Sequence, residues 1–187
     1  MNKKDAKNEE QKKQRKWLIN IFIITFMLSA LFNSLATELV ENLNIVFSIV
    51  VLILVIFIGI VSDCIATAVT AASETPFHSK AADKKKGAKE SVKLIKNADR
   101  VSNICGDVVG DICGVLSGAT GALIATNIAV ALDQDDITLT TLLVTATITA
   151  VTVLGKGIGK QLGIKYCNDI IESIGKMIAF FKITKKK

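Results

Sequence analysis

The sequence predicts an all-α membrane protein with about four transmembrane helices and cytoplasmic juxtamembrane helices. Three observations carry this. Half of the 187 residues are apolar. The charged residues are swept out of four long stretches. The basic residues are sorted to one side of those stretches. So apolar a chain is not intrinsically disordered. Its composition also excludes a collagen-like or disulfide-dense secreted scaffold.

Residues 1–16 form a basic cytoplasmic tail with seven Lys and Arg. Residues 17–37 carry no charge over 21 positions, enough to cross a hydrocarbon core about 30 Å thick as a helix. This stretch reads as an uncleaved extra span, with Trp17 as an interface anchor. The rival reading is a secretory signal, with 17–32 as its apolar region and Ser34-Leu35-Ala36 as a small-x-small cleavage site. Against it, the preceding tail is long and contains Asp5, Glu9 and Glu10. Either way the remaining spans keep their orientation.

The second stretch runs from Asn42 to Ser62, and after Asp63 ten more uncharged residues follow. The third is Ile112–Leu132 and the fourth Ile137–Gly155. In lipid each backbone must satisfy its own hydrogen bonds, so each stretch is expected to be helical. With the N-terminus inside, segments 1–16, 75–103 and 156–187 hold 7, 8 and 8 Lys/Arg, which is all 23. The outer loops hold only Glu38, Glu41, Asp133, Asp135 and Asp136. This obeys the positive-inside rule and puts both termini in the cytoplasm of a multi-pass cell-membrane protein. The net charge of +6 then reads as topology rather than nucleic-acid binding. Basic runs such as Lys84–Lys86 and Lys185–Lys187 suit the anionic headgroups of a lipid bilayer.

The third span opens with a glycine row at Gly106, Gly110, Gly114 and Gly118, one every fourth residue. A bare face of this kind lets another helix approach closely. Asp107 and Asp111 lie on its flank. Counted by helical rise, Asp111 and Asp63 on the antiparallel second span are expected to share a depth. Two costly intramembrane carboxylates at one level call for a cation, a proton or a lysine. On the fourth span Thr138, Thr141, Thr145, Thr149 and Thr152 share one helix face. That stripe is either an interhelical hydrogen-bonding seam or the polar wall of a cation path. The glycines from Gly155 onward are expected to loosen the helix at the inner surface, and Lys156 to reach back to Asp107 or Glu74. They do not form a phosphate loop, because no strand precedes them and the GK[ST] ending is missing.

Residues 77–99 read as a basic helix or helix pair after Pro76, adequately described as a solvated connector. Residues 164–182 place Ile164, Ile171, Ile174, Ile178 and Phe181 near one face, which suits a helix lying on the inner leaflet. A basic tail, 181–187, follows. The four cysteines show no metal-ligand spacing, and His78 reads as a lone loop residue. No nucleophile–base arrangement is visible, so the chain is not expected to be an enzyme.

Three landmarks fall in order: Ala72-Ser73-Glu74-Thr75 ending a span, Gly106-Asp107 opening the next, and Gly155-Lys156-Gly157-Ile158-Gly159-Lys160 closing the last. Gln161–Tyr166 then ends in Lys-Tyr, and Lys93–Arg100 precedes the third span. Together these resemble the transmembrane domain of the cyclin M / CorB–CorC family of magnesium transport proteins. That family has three spans, carrying Ser-Glu-Thr, Ile-Gly-Asn and Gly-Glu-x-x-Pro-Lys. The resemblance covers about 45–180, so residues 42–180 would be the three-helix core and 17–37 an addition. It departs at Asp107 for asparagine, Lys156 for glutamate, Gly159 for proline and Ala71 for serine. The family's cytoplasmic nucleotide-binding pair is absent from the 32 residues after Gly155.

The resemblance implies a cation transport protein, with Mg²⁺ as the transported or bound ion and no other cofactor. Asp63, Ser73, Asp107 and Asp111 would be its oxygen ligands. Glu74, Thr145, Thr149 and Lys156 would line the approach. It also implies a homodimer; a separate soluble regulatory module is a further candidate partner, since the family's cytoplasmic pair is not in these residues. The alternative is a non-transporting scaffold or regulatory subunit in which Lys156 neutralises the former ion site.

Overall fold

The computed structural model describes residues 3–42, 45–131 and 137–184. The described residues are helical almost throughout and include no strand. Helix α1 spans Lys3–Asn42, α2 Ile45–Ala71, α3 Thr75–Ala82, α4 Ala88–Lys96 and α5 Ala98–Ser102. A π-helical segment, Asn103–Gly110, leads into α6, Asp111–Ala131. Helix α7 is Ile137–Lys165 and α8 is Cys167–Thr184. Four helical stretches are long and apolar enough to cross a membrane: Gln14–Phe32, Ile45–Ala71, Ala98–Ala131 and Thr138–Lys165. Asp133, Asp135 and Asp136, expected in an outer loop, and Lys185–Lys187 lie outside the described residues.

The third span is the centre of the bundle. Half of its most apolar window is buried, against 22% for α2, 6% for α7 and none for α1. It packs on α2 and α7, and α2 packs on α7 as well. Small residues at the crossings make this possible. A Cβ on Gly59 would lie 3.0 Å from the Cβ of Cys113, and one on Gly106 would lie 3.2 Å from the Cβ of Ala66. Helix α1 is peripheral, touching Val108, Ile112 and Leu116 through Ile21 and Leu28.

The expected loosening of the fourth span at Gly155 is not what forms. Helix α7 continues unbroken to Lys165. Its glycines serve contact instead: a Cβ on Gly159 would meet Ile60, and one on Gly163 would lie 2.7 Å from the Cys64 carbonyl oxygen. Gly155, Gly159 and Gly163 are thus a second bare row, laid against α2.

Helices α3, α4 and α8 pack into a small subdomain, so residues 77–99 are not a solvated connector. Pro76, in the first turn of α3, supplies the φ a helix start requires. Gly87, at φ +84°, turns the chain into α4. Helix α4 then docks on α8, where Phe77, Val92 and Ile171 form a buried cluster with Ala68 and Val69 of α2. Ser91, fully buried, donates to the Ile171 carbonyl at 3.0 Å. Lys80 and Lys176 both pair with Glu172, and Lys182 pairs with Glu90 at 2.8 Å. The apolar face expected over residues 164–182 is therefore divided between the end of α7 and α8. Ile171 and Ile174 face the protein, while Ile164 and Phe181, with Met177, are exposed.

Candidate functional site

The charge-free part of each core helix ends at the same level. Asp63 lies roughly 27 Å along α2 from Ile45, and Lys156 roughly 28 Å along α7 from Ile137. Both distances are close to the thickness of the hydrocarbon core, about 30 Å. The first charges of α2 and α7 after their apolar runs thus meet at one level.

Asp63 points from α2 at the π segment and is 6% exposed. Its Oδ1 would lie 3.2 Å from a Cβ on Gly110 and 3.6 Å from one on Gly106. A side chain at Gly110 would crowd the carboxylate, while one at Gly106 would touch it at ordinary contact distance. Lys156 reaches in from α7. Its Nζ lies 3.7 Å from Asp63 Oδ2 and donates to the Gly110 carbonyl at 2.9 Å. Ser62, one residue before Asp63, donates to the Cys105 carbonyl at 2.6 Å. Both carbonyls belong to the π segment, whose i→i+5 pattern departs from the α-helical ladder. Such insertions occur frequently at functional sites.

The structure does not bring the other aspartates to this point. Asp107 and Asp111 are exposed on the flank. The reason is angular: Gly106 and Gly110 face α2, so the residue after each is turned about 100° off that face. Lys156 accordingly pairs with Asp63, and not with Asp107 or Glu74 as the sequence suggested. Among the described residues no three His, Cys, Asp or Glu side chains are grouped to hold a metal ion. Ser73 lies in the α2–α3 connection, roughly 15 Å along the chain direction from Asp63, beside Thr75. Glu74 pairs with His78 at 3.0 Å, so this histidine has a partner one turn away.

The threonine stripe of α7 is turned back onto its own helix. Thr145 donates to Thr141, Thr149 to Thr145 and Thr152 to Ile148, each at a backbone carbonyl. Thr149 and Thr152 line a cleft of about 140 Å³ between α6 and α7, with Gly114, Ser117, Gly118 and Lys156. The glycine row is therefore split: Gly106 and Gly110 face Asp63, Gly114 lies beside Lys156, and Gly118 opens on the cleft. Sequence reasoning missed the direct Asp63–Lys156 pairing. The signal that could have found it was the shared level at which the charge-free stretches end.

No family model matches this chain, and no curated protein or solved structure matches it significantly.

Proposed function

We propose that this is a multi-pass membrane protein with a cation seat near the inner boundary, held by its own Lys156 ammonium. On this reading the chain is a non-transporting scaffold or regulatory subunit with both termini cytoplasmic. The observation that carries it is the contact of Lys156 Nζ with Asp63 Oδ2 and the Gly110 carbonyl, at 3.7 and 2.9 Å. A carboxylate and a carbonyl are what a hard cation would take as ligands. A tethered ammonium there satisfies Asp63 and repels a free divalent ion. The resemblance to the cyclin M / CorB–CorC transmembrane domain supports the same placement, because Lys156 stands where that family has glutamate.

A second reading is transport of Mg²⁺ or another divalent cation. The cleft that Lys156 lines favours it, since Ser117, Thr149 and Thr152 bring hydroxyl oxygens to that cleft beside Ile148 and Val153. Mg²⁺ flux into proteoliposomes containing a Mg²⁺-sensitive dye separates the two. The scaffold reading expects no flux from the wild-type chain above empty vesicles. Wild-type flux that Asp63→Asn abolishes while assembly stays intact overturns it in favour of transport.

A further inference from the structure

We propose that the seam between α1 and the third span binds one phospholipid whose headgroup carries a phosphate and a primary ammonium, as in phosphatidylethanolamine. An acyl chain lies in an apolar trough, and the headgroup lies in a polar hollow at the inner end. The inference rests on the reading of the four apolar helices as membrane spans. It does not depend on the Lys156 seat.

Helix α1 is loosely seated. It packs on α6 and more slightly on α2, and none of its most apolar window is buried. Beside it lies a hollow of about 270 Å³, lined by Leu28 and Phe32 of α1, Val55 and Ile58 of α2, and Val109 and Leu116 of the third span. No charged or hydroxyl side chain lines it. Ile58 and Val109 also line a second hollow, with Phe57, Val61 and Ile65, so the trough continues along α2 for roughly 15 Å. Water gains no polar partners in the first hollow. A helix, about 10 Å across, is too thick for it. A single hydrocarbon chain is the membrane component that matches its size and its chemistry.

The headgroup site lies further along the same helix pair. Gln14 and Trp17 of α1, with Asp99 and Arg100 of α5, line a third hollow of about 270 Å³. Trp17 and Leu28 are about three helical turns apart, so they share a face of α1 at a separation of roughly 16 Å. That is about half of a hydrocarbon core some 30 Å thick, the depth of one leaflet. Ile21 and Leu28 of that face rest on Val108, Ile112 and Leu116, which fixes α1 along the seam.

The third hollow selects a zwitterion. Asp99 and Arg100 are exposed, and among the described residues neither takes part in an ion pair. Arg100 offers a planar fork of donors that matches phosphate, and the Trp17 indole and the Gln14 amide add N–H groups. Asp99 accepts without donating, so it suits an ammonium and repels a headgroup that carries only negative charge. A choline headgroup has the positive charge but no N–H to give Asp99. A primary ammonium has three.

The test is native mass spectrometry of the full chain, extracted in detergent and offered an equimolar mixture of phosphatidylethanolamine, phosphatidylcholine and phosphatidylglycerol. One phosphatidylethanolamine is retained, about tenfold in preference to either of the others, the contribution of a charge-assisted hydrogen bond. Asp99→Asn, at an exposed position, removes the preference for ethanolamine over choline and keeps a lipid bound. Arg100→Gln weakens retention of all three about tenfold. Val109→Phe fills the place where the two apolar hollows meet and abolishes retention, with the helical circular dichroism unchanged. Equal retention of the three lipids, a preference for phosphatidylglycerol, or an ethanolamine preference that survives both Asp99→Asn and Arg100→Gln overturns the proposal. Recovery of the chain from cells without detergent, in the soluble fraction, refutes the membrane reading itself. A chain that needs detergent yet retains no lipid refutes only the seam site.

Discussion

Replacing Lys156 by methionine keeps the stem length and removes the charge, leaving Asp63 at 6% exposure with no cation. At 3.7 Å the pair attracts by about 4.5 kcal/mol for an effective dielectric constant of about 20. The hydrogen bond to the Gly110 carbonyl adds about 1.5–3 kcal/mol, the range for a charged donor. Desolvation of the ammonium offsets part of this, because its side chain is only 20% exposed. The net loss expected for Lys156→Met is therefore about 3–5 kcal/mol, the usual cost of breaking a buried pair from one side. Equilibrium unfolding in mixed detergent micelles measures it. The double variant Lys156→Met, Asp63→Leu should recover most of the loss, since an apolar pair of similar volume is often as stable as the ion pair. A Lys156→Met chain within about 0.5 kcal/mol of wild type, the range of an ordinary surface substitution, would refute the pairing as a structural element.

Gly87→Ala should undock α4 from α8, because φ is +84° and the new Cβ would lie 2.5 Å from the Lys176 amide nitrogen; faster tryptic cleavage at Lys84–Lys86 is the readout. Gly163→Ala should separate α2 from α7, since its Cβ would come within 2.7 Å of the Cys64 carbonyl oxygen, and should lower the detergent melting temperature. Hydrogen bonds from Lys176 and Lys80 hold the Glu172 carboxyl at about 2, below its ordinary 4.5. A lowered folded-state value contributes stability that is full above the ordinary value and is lost as pH falls toward the folded one. Exchange of the α4 and α8 amides, corrected for intrinsic rate, should therefore rise between pH 4.5 and about 2, and Glu172→Gln should remove that dependence.

The four apolar helices were legible because a helix able to cross a bilayer obeys one rule along its whole length: almost no charge for about 20 residues. The glycine row was legible as a contact face for the same kind of reason, since a fourth-residue repeat survives any choice of neighbour. The partner of Asp63 was not. That depends on the rotation of three helices about their axes, and residues 103–110 are wound as a π-helix that composition does not announce. The packing of α4 on α8 was hidden because Gly87, Ser91 and Gly175 are small and scattered, and none is apolar enough to mark a buried face. Lys80, Glu90, Glu172 and Lys182 looked like a solvated charge pattern because their pairing runs between segments about 90 residues apart.

Only Tyr166 separates α7 from α8, and backbone hydrogen bonds continue across it, from the Tyr166 amide to the Leu162 carbonyl and from the Ile170 amide to the Tyr166 carbonyl. The rod that carries Lys156 is therefore geared to the element that clasps α4. A displacement of α7 about its axis would pass into α8, and so into the packed α4–α8 pair, because backbone hydrogen bonding runs through Tyr166 without a break.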